Sequence, residues 1–303
     1  MNRVRIGSRG SALALAQSTW VKQQIEMHYP DLQVELSIIK TSGDRFVDRP
    51  IALVGGKGVF TKEIEKALLD RTIDLAVHSM KDLPTELPDG LAIVAVPPRE
   101  DARDVLVTKN ASNLADLGRG ARVATGSLRR QAQLLHHRRD LVVTPIRGNV
   151  DTRLRKLDAG EADGMIMAAA GLKRIGRAER ISEFLPDEIC LSAVAQGALA
   201  IEARDDGPLR GFLSFLHDAA SAAETSAERA LLRGLSGGCH VPIGARARVV
   251  GSGLEMAAIV ASPDGATLCK AKLVGHCNES EILGERLAEA LRRQGADKIL
   301  AAS

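Results

Sequence analysis

Six arginines stand in short motifs along the chain, Arg9, Arg129, Arg130, Arg147, Arg153 and Arg174, set against one acidic residue in Val77-His78-Ser79-Met80-Lys81-Asp82-Leu83-Pro84. Arginine presents a planar fork of donors that pairs bidentately with a carboxylate and stays charged at any working pH. Its repeated use in place of lysine points to a ligand that carries many carboxylates. Asp82, alone among these cations, is a candidate for proton transfer at a functional site. The plain alternative is a helix N-cap preceding Leu83-Pro84.

In a chain with 41 basic and 38 acidic residues, an arginine taken singly is an ordinary solvated side chain. Position sets these apart. Arg9 follows the strand-like Val4-Arg5-Ile6-Gly7 and opens a helix. Arg129 and Arg130 come just after Val123-Ala124-Thr125-Gly126-Ser127, and Arg147 after Leu141-Val142-Val143-Thr144-Pro145-Ile146. Strand ends leading into helices are where open α/β sheets bind ligands.

The elements that must position these residues alternate. Strand patterns at Val4 to Gly7, Val34 to Lys40, Ile73 to Val77 and Leu91 to Val96 are separated by helical patterns from Ser11 to His28 and Thr61 to Leu69. This rhythm predicts a mostly parallel sheet with helices on both faces. The pattern breaks over Pro97-Pro98-Arg99-Glu100-Asp101-Ala102-Arg103-Asp104 and resumes with strands at Val105 to Thr108, Arg122 to Thr125, Leu141 to Thr144 and Gly164 to Ala168. Helices fall at Ser127 to Arg138 and Val150 to Leu157. Pro98 therefore marks a hinge, with a second α/β lobe beyond it.

The two lobes share an internal echo. Leu69-Asp70 precedes Asp74-Leu75-Ala76-Val77 with Leu83 nine residues past Asp74, and Leu157-Asp158 precedes Asp163-Gly164-Met165-Ile166 with Leu172 nine past Asp163. Two similar lobes on a hinge describe a clamshell with the ligand between facing strand ends. From Ala219 a third unit begins, with a helix to Arg233, strands at Arg246 to Val250, Leu254 to Ala261 and Thr267 to Val274, and a helix from Glu279 to Arg293.

Composition bounds the function. At 303 residues and 45% hydrophobic content the chain supports several domains with proper cores. No apolar run approaches the roughly 20 residues of a membrane span. A net charge of +3 and 2% aromatic residues argue against a nucleic-acid surface, which needs stacking platforms. Arg3, Arg5 and Arg9 precede Ala12-Leu13-Ala14-Leu15-Ala16, but that run is shorter than the roughly 7 to 15 residues of a secretory core, and Gln17 and Ser18 follow at once. Cytoplasmic residence is the expectation.

Cys190, Cys239, Cys269 and Cys277 form no C-x-x-C pair, and the histidines show no H-E-x-x-H spacing. Neither a metal site nor a disulfide framework is expected. Cys239 differs from the others, since Ser236-Gly237-Gly238-Cys239-His240-Val241-Pro242-Ile243-Gly244 puts it on a glycine-rich turn that can present a thiol or can be structural punctuation only.

Seven motifs in order carry a family resemblance. They are Gly7-Ser8-Arg9-Gly10-Ser11-Ala12-Leu13-Ala14-Leu15-Ala16-Gln17, Thr41-Ser42-Gly43-Asp44, Gly55-Gly56-Lys57-Gly58-Val59-Phe60, His78-Ser79-Met80-Lys81-Asp82-Leu83-Pro84, Ser127-Leu128-Arg129-Arg130-Gln131, Ile146-Arg147-Gly148-Asn149-Val150 and Gly237-Gly238-Cys239-His240-Val241-Pro242. From Arg3 to Gly244 the chain resembles the porphobilinogen deaminase (hydroxymethylbilane synthase) family. The resemblance implies a transferase of tetrapyrrole (porphyrin and heme) biosynthesis that joins four porphobilinogen molecules head to tail onto a covalently attached dipyrromethane cofactor. It releases ammonia each time and then hydrolyses off the linear tetrapyrrole hydroxymethylbilane.

The implied fold is α/β in three domains, two periplasmic-binding-protein-like lobes joined by a hinge plus a small C-terminal α/β domain with a three-stranded sheet. Residues 1–97 with 196–217 would form the first lobe, 103–191 the second, and 218–303 the domain that carries the cofactor cysteine. Residue by residue, the family pattern implies Asp82 as the catalytic group and a thioether to dipyrromethane at Cys239. Lys81, Ser127, Arg129, Arg130, Arg147 and Gly148 would bind cofactor. Arg9, Ser11, Arg147, Arg153, Arg174 and Gln196 would bind substrate, and Lys57 and Phe60 would lie in a lid loop. No metal, nucleic acid or membrane partner is implied, and the enzyme would be a monomer.

The chemistry fits the residue types. Each porphobilinogen carries an acetate and a propionate, so a six-ring chain brings about a dozen carboxylates whose burial is prohibitive without counter-charge. Loss of ammonia leaves an electron-poor methylene-pyrrolenine, whose cation a carboxylate such as Asp82 can stabilise. Two positions depart from the family pattern: Leu53 stands where a second lysine is common, and Ala195 where glycine is frequent. The rival reading is a non-enzymatic two-lobed binding protein for an anionic solute, which would share lobes and arginines but has no use for the Cys239 unit.

Overall fold

The computed structural model describes residues 2–42, 58, 60–236 and 241–302. Asp44, Leu53, Lys57 and Cys239 lie outside the described residues. Along the chain come β1 (Arg3–Ser8), α1 (Ala12–His28), β2 (Gln33–Ile38), α2 (Lys62–Leu69), β3 (Leu75–Ser79) and β4 (Leu91–Ala95). There follow β5 (Asp104–Thr108), β6 (Arg122–Ala124), α3 (Leu128–His137), β7 (Val142–Thr144), α4 (Val150–Asp158), β8 (Gly164–Ala168), α5 (Ala169–Arg174) and β9 (Glu183–Phe184). The last are β10 (Leu199–Arg204), α6 (Ala219–Gly234), β11 (Ile243–Val250), β12 (Gly253–Ala261), β13 (Leu268–His276) and α7 (Ser280–Arg293). The chain divides into two compact units, residues 1–99 with 198–222 and residues 100–197 with 223–303.

The first unit is built on a five-stranded sheet of order β2-β1-β3-β10-β4. Val4 and Ile6 of β1 are fully buried, whereas Arg3 is exposed and Arg5 half-buried. Helix α1 starts where the Ser11 hydroxyl accepts the Ala14 N–H, an N-cap bond. Val21 and Ile25, four apart and fully buried, join Val4, Ile6, Val34, Leu75, Val77 and Ile201 in one cluster. Ile64 and Leu68 of α2 bury a second cluster with Ile73, Ala76 and Leu91.

The second unit repeats the plan with a sheet of order β7-β6-β8-β5-β9, and adds the antiparallel sheet β11-β12-β13 against which α7 packs. The echo seen in the sequence is a structural repeat. Asp74, just before β3, accepts Arg5 N–H at 2.8 Å and returns its own N–H to Arg5 O at 2.9 Å. Asp163, just before β8, does the same with Arg122, at 2.7 and 2.8 Å.

The expectation of mostly parallel sheets is corrected. Both five-stranded sheets are mixed: β10 runs antiparallel to β3 and β4, and β5 runs antiparallel to β8 and β9. Strand β10 went unread because Leu199-Ala200-Ile201-Glu202-Ala203 is buried on both faces and so shows no period of two. Strand β11 begins at Ile243 rather than Arg246, because Gly244 lies within the strand. A Cβ there would meet Leu191 O at 2.9 Å, so this glycine marks close backbone approach and not a turn.

Candidate active site

In the first unit, β1 and β3 are parallel neighbours with Ile6 opposite Leu75 and Gly7 opposite Ala76. Arg9 and Ser11 therefore leave the same edge of the sheet as Lys81 and Asp82. Helix α1 is tied to both strands: Ser18 Oγ donates to Ser8 Oγ at 2.9 Å, and Gln17 exchanges hydrogen bonds with Ser79 at 3.0 Å. The Arg9 guanidinium lies 4.2 Å from the ring centre of Phe60, a cation–π contact.

Asp82 ends a single 3-10 turn, Met80–Asp82. That turn is pegged at both ends, since Met80 and Leu83 are buried, Met80 N–H donates to Ala198 O at 3.0 Å and Leu83 N–H to Met80 O at 3.1 Å. Asp82 is left exposed, and its carboxylate has no hydrogen bond or ion pair among the described residues. It caps no helix, so the plain alternative for this residue falls away. Lys81 beside it is half-buried.

In the second unit, β7, β6 and β8 are parallel, and their carboxyl ends release Ser127 to Arg130, Arg147 with Gly148, and α5 with Arg174. Arg129 and Arg130 turn inward, 4% and 7% exposed, onto the fully buried Asp104. Arg129 Nη1 donates to Asp104 Oδ2 at 2.7 Å and to Leu191 O at 2.6 Å. Arg130 Nε and Nη2 donate to Asp104 Oδ1 at 3.1 and 2.7 Å, Nη1 to Ile166 O at 3.1 Å. Gln196, fully buried, adds its Nε2 to Oδ1 at 2.8 Å and to Ala102 O at 2.8 Å. Burial alone would raise the Asp104 carboxyl, but the two guanidiniums outweigh it and hold it far below the usual carboxylate range. Two cations on one anion leave a buried positive surplus.

The other arginines differ in kind. Arg147 is exposed and makes no ion pair among the described residues. Gly148 follows at φ 113°, where a Cβ would meet the Thr152 side chain at 2.6 Å. The Gly148 carbonyl accepts Arg153 Nε at 2.8 Å, beside the Asn149 N-cap of α4. Arg174 Nη2 donates to Gly197 O at 2.6 Å, and burial, only partly opposed by the charge of Glu100, pushes its pKa down to about 10. Ser127 is the N-cap residue of α3 but makes no side-chain cap bond.

Sequence reasoning missed Asp104 and Gly197. Asp104 sat in the charged run read as a break, and only its burial reveals it. Gly197 has φ 88° and would place a Cβ 2.3 Å from Glu100 O, so glycine is obligatory. Ala195, one of the two departures, adopts φ 58°, which is why glycine suits that position elsewhere. Its N–H is fixed by Glu228 Oε2 at 2.6 Å.

Guanidiniums short of counter-charge at the strand ends of the second unit suit a ligand that carries carboxylates, and the first unit presents an exposed carboxylate on a one-turn helix. Residues 4–209 match the family model "Porphobilinogen deaminase, dipyromethane cofactor binding domain", and residues 222–293 match "Porphobilinogen deaminase, C-terminal domain". The chain is 52% identical over 301 residues to the porphobilinogen deaminase of Syntrophotalea carbinolica, covering 99% of this chain and 95% of that one. It is 49% identical over 302 residues to the Geobacter sulfurreducens protein of the same name, again covering 99% and 95%. Among solved structures, a putative methionine-binding lipoprotein from Bacillus subtilis superposes with a TM-score of 0.44 at 11% identity, covering 72% of this chain and 91% of that one. The chain belongs to the porphobilinogen deaminase family, transferases of tetrapyrrole biosynthesis that carry a dipyrromethane cofactor.

Proposed function

We propose that the chain condenses four porphobilinogen molecules head to tail, with loss of ammonia at each step, and releases hydroxymethylbilane by hydrolysis. The observation that carries this is the combination of surplus guanidinium charge at the strand ends with the unpaired Asp82 carboxylate. The donor set fits a group that bears carboxylates: Arg129 and Arg130 share one aspartate, and neither Arg147 nor Arg174 has an ion-pair partner among the described residues. When bound, dipyrromethane supplies an electron-rich pyrrole that primes chain growth.

The roles of this chain's residues follow from charge and exposure. Lys81, Ser127, Arg129, Arg147 and the Gly148 backbone hold the cofactor, Arg130 serves through Asp104, which it shares with Arg129, and Cys239 attaches the cofactor as a thioether. Arg9, Ser11, Arg147, Arg153 and Arg174 hold substrate carboxylates, Gln196 acts through Asp104, on which its amide is spent, and Lys57 and Phe60 lie in a covering loop. When the aminomethyl C–N bond of porphobilinogen breaks, the electron pair leaves with ammonia and the positive charge spreads to the ring N–H. The Asp82 carboxylate stabilises that charge and takes the proton that a ring carbon sheds after coupling.

Attachment at Cys239 is favoured by the state of two of the other three thiols, Cys190 and Cys269. Burial pushes Cys190 up to about 12, and burial also raises Cys269, so both are poor in thiolate. We assign residues 1–97 with 196–217, 103–191 and 218–303 to three domains, and a monomer in the cytoplasm as the working state. No helix among the described residues is long and apolar enough to cross a membrane.

The test is the intact mass of the purified chain. It should exceed the sequence mass by one dipyrromethane located by peptide mapping on Cys239, and brief exposure to porphobilinogen should add a ladder of single pyrrole units ending at four. Cys239→Ser should lose adduct and ladder together. A bare mass with no ladder would favour the anion-binding protein instead.

A further inference from the structure

Helix α3 carries Arg129 and Arg130 on one face, and its other face meets a part of the chain that the proposed reaction leaves unused, the turn between β12 and β13. With 3.6 residues to a helical turn, Arg129, Arg130, Gln133 and Leu134 share one side of α3, while Gln131, Ala132, Leu135 and His136 share the other. The first side is fixed by more than Asp104. Gln133 Oε1 accepts Leu191 N–H at 2.7 Å, and Gln133 Nε2 donates to Leu191 O at 3.1 Å and to Arg129 O at 3.2 Å.

The second side is held by the turn. Gln131 Nε2 donates to Pro263 O at 3.2 Å, and His136 Nδ1 lies 2.9 Å from Gly265 O. A carbonyl oxygen only accepts, so Nδ1 carries the proton of that bond. Between these two latches Gly265 is buried against the helix backbone at φ 69°, and a Cβ there would meet His136 N at 2.5 Å, Ala132 O at 2.6 Å and the Leu135 carbonyl carbon at 2.9 Å. All three are main-chain atoms, so no side-chain rotation makes room. The turn is itself tied together: Ser262 N–H donates to Thr267 O at 2.9 Å, Gly265 N–H to Ser262 O at 2.8 Å, Thr267 N–H to Ser262 Oγ at 2.9 Å and Ala266 N–H to Asp264 Oδ1 at 3.0 Å.

A close-packed interior transmits displacement, so a shift on one side of α3 reaches the other. We infer that the β12–β13 turn is a brace for α3 and that Gly265 and His136 are positioning residues for the Arg129 guanidinium; the consequence for activity rests on Arg129 holding the cofactor. The C-terminal sheet thereby fixes where Nε and Nη2 of Arg129 stand, the two nitrogens with no hydrogen bond among the described residues.

Two glycine variants of the full chain, purified with its cofactor, separate position from stability. Gly251, in the turn between β11 and β12, has φ 61°, and a Cβ there would meet nothing within 4 Å, so Gly251→Ala carries the left-handed backbone cost alone. Gly265→Ala carries the same cost and also forces the turn and α3 apart by about 1 Å, a misplacement that can cost a binding group up to about a hundredfold. In protein labelled at the arginine guanidiniums, the Arg129 resonances, assigned by their absence from Arg129→Lys, should move in Gly265→Ala and stay in place in Gly251→Ala. For porphobilinogen, kcat/KM should fall by about 10–100-fold in Gly265→Ala and hold in Gly251→Ala.

His136→Ala removes one latch without touching the backbone and should move the same resonances. His136→Asn, whose amide nitrogen can stand where Nδ1 stood, should return them. Arg129 resonances that move in both glycine variants or in neither overturn the proposal, as does an Asn variant no closer to wild type than the Ala variant. Should Gly265→Ala not fold, the two His136 variants decide alone by the same resonances. Moved resonances with an unchanged kcat/KM remove Arg129 from cofactor binding and leave the brace in place.

Discussion

Arg130 directs two of its nitrogens, Nε and Nη2, onto the single oxygen Oδ1 of Asp104, at 3.1 and 2.7 Å, which leaves Oδ2 to Arg129. Arg130 is thus bound into the protein by its whole fork, with Nη1 on Ile166 O. Arg129 makes its contacts through Nη1 alone, and its Nε and Nη2 have no hydrogen bond among the described residues. The geometry divides a motif that reads as two equivalent ligands into a strut and a side chain with donors to spare.

Asp104→Asn should therefore destabilise the fold by about 3–5 kcal/mol, the usual cost of leaving buried charge uncompensated. The linkage has a definite sign. The folded pKa is depressed, so the stabilisation is present above the unfolded carboxylate value and is lost as pH falls below the ordinary 3.8 toward the folded value. Urea unfolding should show this acid-side loss in the wild type and not in the variant. A variant with unchanged urea midpoint would mean that Asp104 does not carry the two arginines.

Arg147 should behave in the opposite way from Arg130. It is exposed and makes no ion pair among the described residues, so Arg147→Ala should shift stability by less than about 0.5 kcal/mol. Its effect should fall on ligand carboxylates, as poorer cofactor loading by mass or a raised KM. Arg130→Ala should first lose stability, and Arg130→Lys should not restore it, because a point charge cannot replace the fork. Equal thermal losses for Arg147→Ala and Arg130→Ala would remove the distinction.

The sequence shows strand ends well and counter-charges poorly. Arg9, Arg129 and Arg147 were placed at the carboxyl ends of β1, β6 and β7 from hydrophobic runs alone, because a run that stops before a glycine or serine and a helix pattern is a local signal. Asp104 was invisible for the opposite reason: its partners lie 25 and 26 residues downstream, and nothing local separates it from the half-buried Asp101 and Glu100 nearby, which pair with Arg103 and Lys173. The same holds for β10, whose pairing with β3 joins segments separated by more than a hundred residues. His78 was read only as part of a motif, while its buried acid Glu202 comes from β10.

Asp82→Asn should fold normally, because the carboxylate has no partner among the described residues and the turn is held by Met80 and Leu83. An amide of the same shape neither stabilises the cation nor moves a proton. Turnover should fall by about 10²–10⁴-fold while the mass still shows cofactor. A variant that retains a large share of activity would take Asp82 out of the chemistry, and one that unfolds would make its role structural.

The repeat between the two sheets supplies a test of backbone conformation. Arg71 at φ 58° and Gly160 at φ 81° occupy the same place in the repeat, each ending the helix before the Asp74 or Asp163 strand, and each offers its carbonyl to the arginine of the neighbouring strand, Arg5 Nη2 at 2.8 Å and Arg122 Nη2 at 3.1 Å. Left-handed backbone costs a side-chain-bearing residue roughly 1–2 kcal/mol and costs glycine little. A Cβ at Gly160 would meet nothing within 4 Å, so Gly160→Ala isolates that conformational cost and should destabilise by about 1 kcal/mol. Arg71→Gly should stabilise by up to about 1 kcal/mol, since the only side-chain partner it gives up among the described residues is the exposed Asp206, an ion pair of small worth. Both changes are read from denaturant midpoints, and a neutral Gly160→Ala together with a destabilising Arg71→Gly would show that the two turns are not under the same backbone constraint.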